Sequence, residues 1–298
     1  MPRASRSSNC KRTSKNAGEM LRVAVPNKGI LSDTAVLMLK EAGYATRRDP
    51  KDLHVVDEEN QIEFFYLRPR DIATYVGSGS LDAGLTGLDL LHDSRSSAER
   101  VADLKFGDST FRFAGPKGAF TEVKQLEGKR VATAYPNLVH DYLAEQGINV
   151  TLVQLDGAVE TAVRLGVADA VADVVSTGNT LRQAGLEIFG PVILKSTAHL
   201  IAAPGKAAAA ETLLRRLRGV VVAREYVIFD YDCPANLVEQ ASALTPGIES
   251  PTISPLRDAD WVAVRALVKS DEINAKMDAL YELGARAILV SAIHAARI

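Results

Sequence analysis

The chain has 298 residues, 47% of them hydrophobic and 24% charged, which is ordinary globular composition with length for two or three small domains. A net charge of −2 excludes the broad basic field of a nucleic-acid binder. Two cysteines, Cys10 and Cys233, supply neither a disulfide framework nor a metal cluster, so a reducing cytoplasm is expected, and no apolar run approaches the roughly 18 residues of a membrane span.

Residues 1–19 carry five Arg/Lys, one Glu and almost nothing apolar, and are expected to be a disordered basic tail without the apolar segment of a secretory signal. From Met20 short β-rich runs alternate with helical segments. "LRVAVP" reads as a strand, "NKGILSD" as a loop with Ser32 and Asp33 as cap residues, and "TAVLMLKEAG" as a helix stopped by Gly43. "LHVVDEENQIEFFYL" reads as a hairpin, "RPRDIATYVGSG" as a helix with Pro69 in its first turn, and "LDAGLTG" as a strand running into the short helix "LDLLHDS". A second lobe follows, with strands "FRFAGP", "KRVATAYP", "INVTLVQL" and "DAVADVV" and helices "NLVHDYLAEQG" and "AVETAVRLG" between them. "GPVILKSTAHLIAAP" reads as paired strands returning to the first lobe, and "GKAAAAE" as a domain boundary. Beyond it, "GVVVAREYVIFDYD", a helix from Pro234, two strands, the helix "DEINAKMDALYELG" and "ARAILVSAI" give the order βαββαβ of a ferredoxin-like module. The expected division is residues 20–108 with 186–205 as lobe I, 109–185 as lobe II, and 211–298 as the third domain.

Two stretches echo one another: Gly79 to Leu90, "GSLDAGLTGLDL", and Gly166 to Leu181, "GVADAVADVVSTGNTL". Each ends a strand and opens a helix with Thr-Gly, at the strand ends where α/β proteins hold ligands. Ser176, Thr177, Gly178, Asn179 and Thr180 have the chemistry of a phosphate cradle: a glycine that admits close backbone approach, successive N–H groups at a helix start, and hydroxyls. The same residues also suit a plain helix cap. The first loop carries Asp89 where the second carries Thr180, so one wall of the cleft suits an anion and the other suits hydrogen-bond donors. Glu160 and Asp173 flank the second loop, where sugar hydroxyls or Mg²⁺ would give carboxylates a purpose beside a phosphate. Lys28 lies in a cleft loop as a polyphosphate contact, Arg68 and Arg70 follow a strand, and Tyr135 stands at a strand end to stack on a base or to pack. Asp169 caps the turn after Gly166. The five histidines have no metal-ligand spacing.

Glu160, Gly166 and "VADAVADVVSTGNTL" together resemble the signature of the ATP phosphoribosyltransferase family, matching its defined positions at Glu160, Gly166, Ala168, Val171, Asp173, Val174, Thr177, Gly178, Thr180 and Leu181. "VAVPNKG", "FFYLRPRDIATYVGSGSLD", "RVATAYPNLV" and "ESPTISPL" resemble further segments, so the similarity spans Met20 to Ile298 in the long form. The resemblance implies a two-lobed α/β catalytic core like the type II periplasmic binding proteins, with a C-terminal ferredoxin-like regulatory domain. It implies condensation of ATP with 5-phosphoribosyl 1-pyrophosphate, Mg²⁺ as cofactor, histidine as feedback inhibitor, and dimers assembling into hexamers, with no nucleic-acid or membrane partner. Carried over by position, Asp173 to Thr180 would hold the donor's 5-phosphate and ribose. Glu160 and Asp173 would face the ribose hydroxyls. Lys28, Arg68, Arg70, Asp89 and Tyr135 would line the ATP side, with Lys28, Glu160 and Asp173 as the catalytic set. Asp232, Thr252, Leu267 and Ala287 would hold histidine. Leu88 stands where relatives commonly carry Arg. A non-catalytic two-lobed binding protein is the alternative on the same fold.

Overall fold

The computed structural model describes residues 20–297; the expected basic tail lies outside the described residues. The first lobe opens with β1 (Leu21–Pro26), α1 (Ile30–Glu41), β2 (His54–Asp57), β3 (Ile62–Leu67), α2 (Pro69–Gly77), β4 (Ala83–Gly87), α3 (Leu88–Ser94) and β5 (Glu99–Asp103). The chain then crosses into a second lobe of β6 (Ser109–Pro116), β7 (Arg130–Thr133), α4 (Pro136–Glu145), β8 (Thr151–Gln154), α5 (Thr161–Arg164), β9 (Ala170–Val175), α6 (Asn179–Gln183) and β10 (Leu186–Ser196). It returns as β11 (Ala198–Ala202) and α7 (Glu211–Glu225), and closes with β12 (Tyr226–Pro234), α8 (Val238–Leu244), β13 (Thr252–Pro255), β14 (Trp261–Lys269), α9 (Ile273–Leu283) and β15 (Arg286–Ala292).

The sheet orders are β2-β3-β1-β4-β11-β5, β10-β6-β9-β7-β8 and β13-β14-β12-β15. Setting aside the hairpin strand β2, the first two follow one plan. The lobe's second, first and third strands lie side by side; then comes the strand that has just crossed from the other lobe (β11 or β6), then the fourth strand. This is the two-lobed type II arrangement. Its consequence is that β4 and β9, which carry the echoing sequences, are each the third strand of their lobe. Apolar alternation builds the layers: in β3, Ile62, Phe64 and Tyr66 are buried while the residues between them are partly open. Helix α1 buries Ala35, Met38 and Leu39 at helical spacing against that face.

Several expectations are corrected. Helix α1 starts at Ile30, so Ser32 and Asp33 are helical; Gly29 is the N-cap and Ser32 is buried beneath the helix. The edge strand β5 was not expected. The strands of "GPVILKSTAHLIAAP" do not return to the first lobe as a pair. β10 stays in the second lobe, paired antiparallel with β6, and only β11 returns to pair with β4 and β5. The return therefore falls at Thr197 rather than at residue 186. The stretch "GVVVARE", read as strand, is the last part of α7. Leu213, Leu214, Leu217 and Val220 of that helix are buried in the first lobe's core with Val23, Met38 and Phe64. Residues 211–225 thus complete lobe I, and the third sheet begins at Tyr226. The order of that sheet, second, third, first, fourth, all antiparallel, is ferredoxin-like. No helix among the described residues is long and apolar enough to cross a membrane.

Candidate active site

The parallel strands β1, β3 and β4 end on one edge of lobe I. That edge carries Lys28 after β1, Arg68 and Arg70 after β3, and Asp89 after β4. In lobe II, the parallel strands β7 and β9 present Tyr135 and the Ser176–Thr180 loop at their own ends. Leu88 and Ser176, at the two echoing strand ends, border one cavity of about 490 Å³ beside the crossover, with Arg100, Ser109, Lys195 and Thr197.

The two echoing loops differ in backbone. β4 runs directly into α3 with Gly87 at φ −74°, ψ 146°, whereas β9 stops at Val175 and turns through Gly178 at φ +70°. That left-handed conformation suits glycine and makes Gly178 hard to replace. Helix α6 has only five residues, so its dipole is small, and the cradle rests on the loop amides instead. The N–H groups of Thr177 and Gly178 have no protein acceptor among the described residues, and Ser176, Thr177, Asn179 and Thr180 are exposed. In the first loop the corresponding space is filled by Asp89 itself. A side chain at Gly87 would collide with the Asp89 carboxylate, which is buried and accepts a hydrogen bond from Ser196 Oγ at 2.8 Å.

Across the cleft, Arg70 stands 4.9 Å over the Tyr135 ring, and Phe111 packs edge-on against the same ring at 5.1 Å. Tyr135 is therefore packed as a support, and a base entering here would meet Arg70 first. Burial, then the nearby carboxylates of Asp89 and Asp173, push the Tyr135 hydroxyl well above its ordinary value. Asp173 is pushed up to about 6 by burial, with Glu160 and Asp89 raising it further, while the Val174 N–H and Arg70 act the other way. The structure thus brings Arg70, Asp89, Tyr135, Glu160 and Asp173 into one electrostatic cluster. Lys28 and Arg68 lie on the same edge, exposed. Asp169 is elsewhere: it receives Arg130 in a two-pronged contact at 2.8 and 3.2 Å, and that guanidinium also donates to the Gly166 carbonyl. Arg130 holds the Asp169 carboxyl down at about 2.

Three residues of this region were not anticipated. Arg182 folds back from α6 and donates to the Thr177 carbonyl at 3.1 Å and Asn179 Oδ1 at 2.6 Å, placing a cation beneath the cradle. Its position four residues after Gly178, one helical turn on, is the signal that would have found it. Arg47 donates to the Asn27 carbonyl and to Ser32 Oγ and so pins the loop that carries Lys28. Asp93 bonds across the two lobes, from partners far apart in sequence.

The four residues assigned to histidine do not form one site within the chain. Thr252 and Leu267 line a cavity of about 430 Å³ on the outer face of the third sheet. Asp232 lies four residues along β12 from Ile228, the partner of Leu267, which is about 13 Å at strand rise. Ala287, at φ +50°, sits in the bulge beside Arg286, the partner of Asp232. Thr252 and Leu267 share that cavity while Asp232 and Ala287 lie outside its lining, and the four stand on four different strands, β13, β14, β12 and β15.

A family model described as "HisG: ATP phosphoribosyltransferase" matches residues 68–219, and one described as "HisG, C-terminal domain" matches residues 223–295. The chain is similar to the ATP phosphoribosyltransferases of Arthrobacter sp. (strain FB24) and Paenarthrobacter aurescens (strain TC1). Each is 64% identical over 286 residues, spanning 94% of this chain and all of the relative. Among solved structures it is similar to the "ATP phosphoribosyl transferase (HisG:HisZ) complex from Thermotoga maritima", with 30% identity and a TM-score of 0.60, covering 68% of this chain and 98% of that one.

Proposed function

The chain belongs to the ATP phosphoribosyltransferase family, in its long form with the additional C-terminal domain, and from that premise we propose how its cleft divides two substrates. The enzyme is a pentosyltransferase of histidine biosynthesis, condensing ATP with 5-phosphoribosyl 1-pyrophosphate to N1-(5-phosphoribosyl)-ATP and pyrophosphate. Relatives of that name matched over their whole length leave the non-catalytic binding protein without support. The assignment of substrates to walls is carried by one observation: of two topologically equivalent loops, only Ser176–Thr180 is open, left-handed at Gly178 and free of a carboxylate.

In this reading the 5-phosphate rests on the amides of Thr177 and Gly178 and the hydroxyls of Ser176, Thr177 and Thr180, with Asn179 at the rim. Glu160 and Asp173 accept hydrogen bonds from the ribose hydroxyls. Adenine N1 already has a lone pair, so no protein nucleophile is required; the work is positioning and stabilisation of the cation-like ribose carbon. The carboxylates of Asp173 and Glu160 are suited to that developing positive charge. Lys28, Arg68 and Arg70 take the polyphosphate of ATP, and Asp89 and Tyr135 face the adenosine.

Carboxylate oxygens such as those of Glu160 and Asp173 suit a hard cation such as Mg²⁺, and Asp173, raised by burial and then by Glu160 and Asp89, would be relieved by a nearby positive charge. Among the described residues no three His, Cys, Asp or Glu side chains could hold a metal together, so most of its ligands would come from substrate phosphates. When bound, Mg²⁺ supplies neutralisation of the departing pyrophosphate.

Histidine is assigned to the third domain, where two copies packed sheet to sheet would join the Thr252–Leu267 half-site of one to the Asp232–Ala287 half-site of the other. Pyrophosphate release by the purified protein should require both ATP and the ribosyl donor and should fall on adding histidine. Asp232→Ala should lose that inhibition while keeping turnover within about twofold. Inhibition that survives both Asp232→Ala and Leu267→Ala would place the histidine site elsewhere, and turnover indifferent to histidine would leave the third domain as an assembly unit only.

A further inference from the structure

Among the described residues three aspartates are buried: Asp57, Asp89 and Asp93. Asp57 accepts from the Ala45 and Asn60 N–H groups and from Asn60 Nδ2, and so ties the hairpin of lobe I to the loop after α1. Asp89 belongs to the cleft. Asp93 stands in the last turn of α3 in lobe I, yet one of its carboxylate oxygens and its backbone carbonyl are bonded to lobe II. Its Oδ1 accepts the Asn137 N–H at 2.9 Å and the Leu138 N–H at 3.2 Å, and its backbone carbonyl accepts Asn137 Nδ2 at 2.8 Å. These are first-turn N–H groups of α4, a ten-residue helix whose own N-cap, Tyr135, offers no side-chain cap. A carboxylate from one lobe therefore caps a helix of the other, the end where negative charge is favoured.

The second oxygen of Asp93 accepts from Arg70 Nη1 at 2.9 Å. This bond fixes the guanidinium over the Tyr135 ring, and Tyr135 is the residue immediately before α4. One buried carboxylate thus sets the distance between the lobes, the start of α4 and the direction of Arg70 together. We propose that Asp93 is a positioning residue for the ATP half of the cleft: it locks α3 to α4 and presents Arg70 and Tyr135 as one preassembled wall. Without it, Arg70 has a competing destination in the anionic group of Asp89, Glu160 and Asp173, where it would neutralise charge that the ribosyl donor needs. A second contact between the lobes, Arg95 with Asp141, is half exposed on both sides and touches neither Arg70 nor Tyr135. It separates general tethering from positioning.

The inference rests on the reading that Arg70 and Tyr135 serve ATP, and steady-state kinetics on the full-length enzyme distinguish the two. Asp93→Ala should raise the KM for ATP at least tenfold and lower kcat, with the KM for the ribosyl donor within about threefold. Asp93→Asn keeps an acceptor for Asn137 and Leu138 but loses the charge on Arg70. It should show the same KM split with a smaller change in melting temperature, and it carries the test if the alanine variant does not fold. Arg70→Ala should raise the ATP KM comparably, and adding Asp93→Ala to it should raise the KM no further, because the two act as a unit. Arg95→Ala should stay within twofold of the parent. If Arg70→Ala raises the ATP KM and neither Asp93 variant does, Asp93 is a cap only and the proposal fails alone. If Arg70→Ala leaves the ATP KM unchanged, the assignment of that wall to ATP fails and takes the proposal with it. Multiplying effects in the double variant would likewise overturn the coupling.

Discussion

Replacing Thr180 with Asp should remove measurable binding of phosphoribosyl pyrophosphate while leaving the fold intact. Thr180 is exposed in the first turn of α6, beyond the left-handed Gly178, and a carboxylate at a helix start is tolerated or favoured by the backbone. The protein's melting temperature should therefore hold. A unit charge about 4 Å from a phosphate oxygen costs about 4 kcal/mol at the effective dielectric of a protein surface, roughly three powers of ten in affinity. The topologically equivalent position in lobe I is already Asp89, in a loop that Asp89 itself fills. Thr180→Asp thus installs in the open loop the feature that closes the other. Calorimetric titration with the donor reads the result, and an affinity within a factor of a few of the parent would refute the division of the cleft into an anion wall and a donor wall.

Asp173→Asn should have two opposite effects. The ligand-free protein should become more stable and the enzyme should become nearly inactive. Burial, with Glu160 and Asp89 nearby, raises the Asp173 carboxyl from its ordinary 3.8 to about 6. A carboxyl raised in the folded state binds its proton more tightly there than in the unfolded chain. Its contribution to stability therefore falls as pH climbs from about 4 to 6, and the penalty is fully present at neutral pH. A shift of this size corresponds to about 3 kcal/mol at most, so the amide should raise the melting temperature by several degrees at pH 7.5. The gain should shrink as pH falls below 6 and be absent near pH 4. The same substitution removes the charge that accepts the ribose hydroxyls. Two charge-assisted hydrogen bonds at roughly 1.5 kcal/mol each amount to about a hundredfold loss in kcat/KM for the donor. A destabilised variant, or a stabilised one with full activity, would mean that the strained carboxylate is not held for the reaction.

How far the fold was legible follows the reach of each signal. "LRVAVP" and "DAVADVV" declare strands by composition alone, and the two Thr-Gly turns mark the strand ends of both lobes because turn chemistry is local. Helix α7 was hidden because three successive valines in "GVVVARE" favour strand intrinsically, and only packing of Leu213, Leu217 and Val220 on the first lobe's core makes the segment helical. The crossover at Thr197 was hidden because "LKSTAHLI" has no glycine or proline to mark where the chain leaves one sheet for the other. At the site, the cradle and its flanking carboxylates could be read as a contiguous motif. Asp93 could not: its partners on α4 lie 44 and 45 residues away, and nothing in "LLHDS" distinguishes it from a solvated aspartate. The histidine residues could be placed only by resemblance, and they stand on four different strands of the third sheet.

The most direct test of the divided cleft is a pair of steady-state measurements, varying ATP at saturating donor and donor at saturating ATP, for Arg70→Ala and for a conservative change in the opposite wall, Thr180→Val. Arg70→Ala should raise the KM for ATP at least tenfold and leave that for phosphoribosyl pyrophosphate within about threefold; Thr180→Val should do the reverse. If each variant raises both KM values alike, or if the two affect the opposite substrates, the assignment of phosphate donor to the Ser176–Thr180 loop and ATP to the Arg70–Tyr135 wall is wrong.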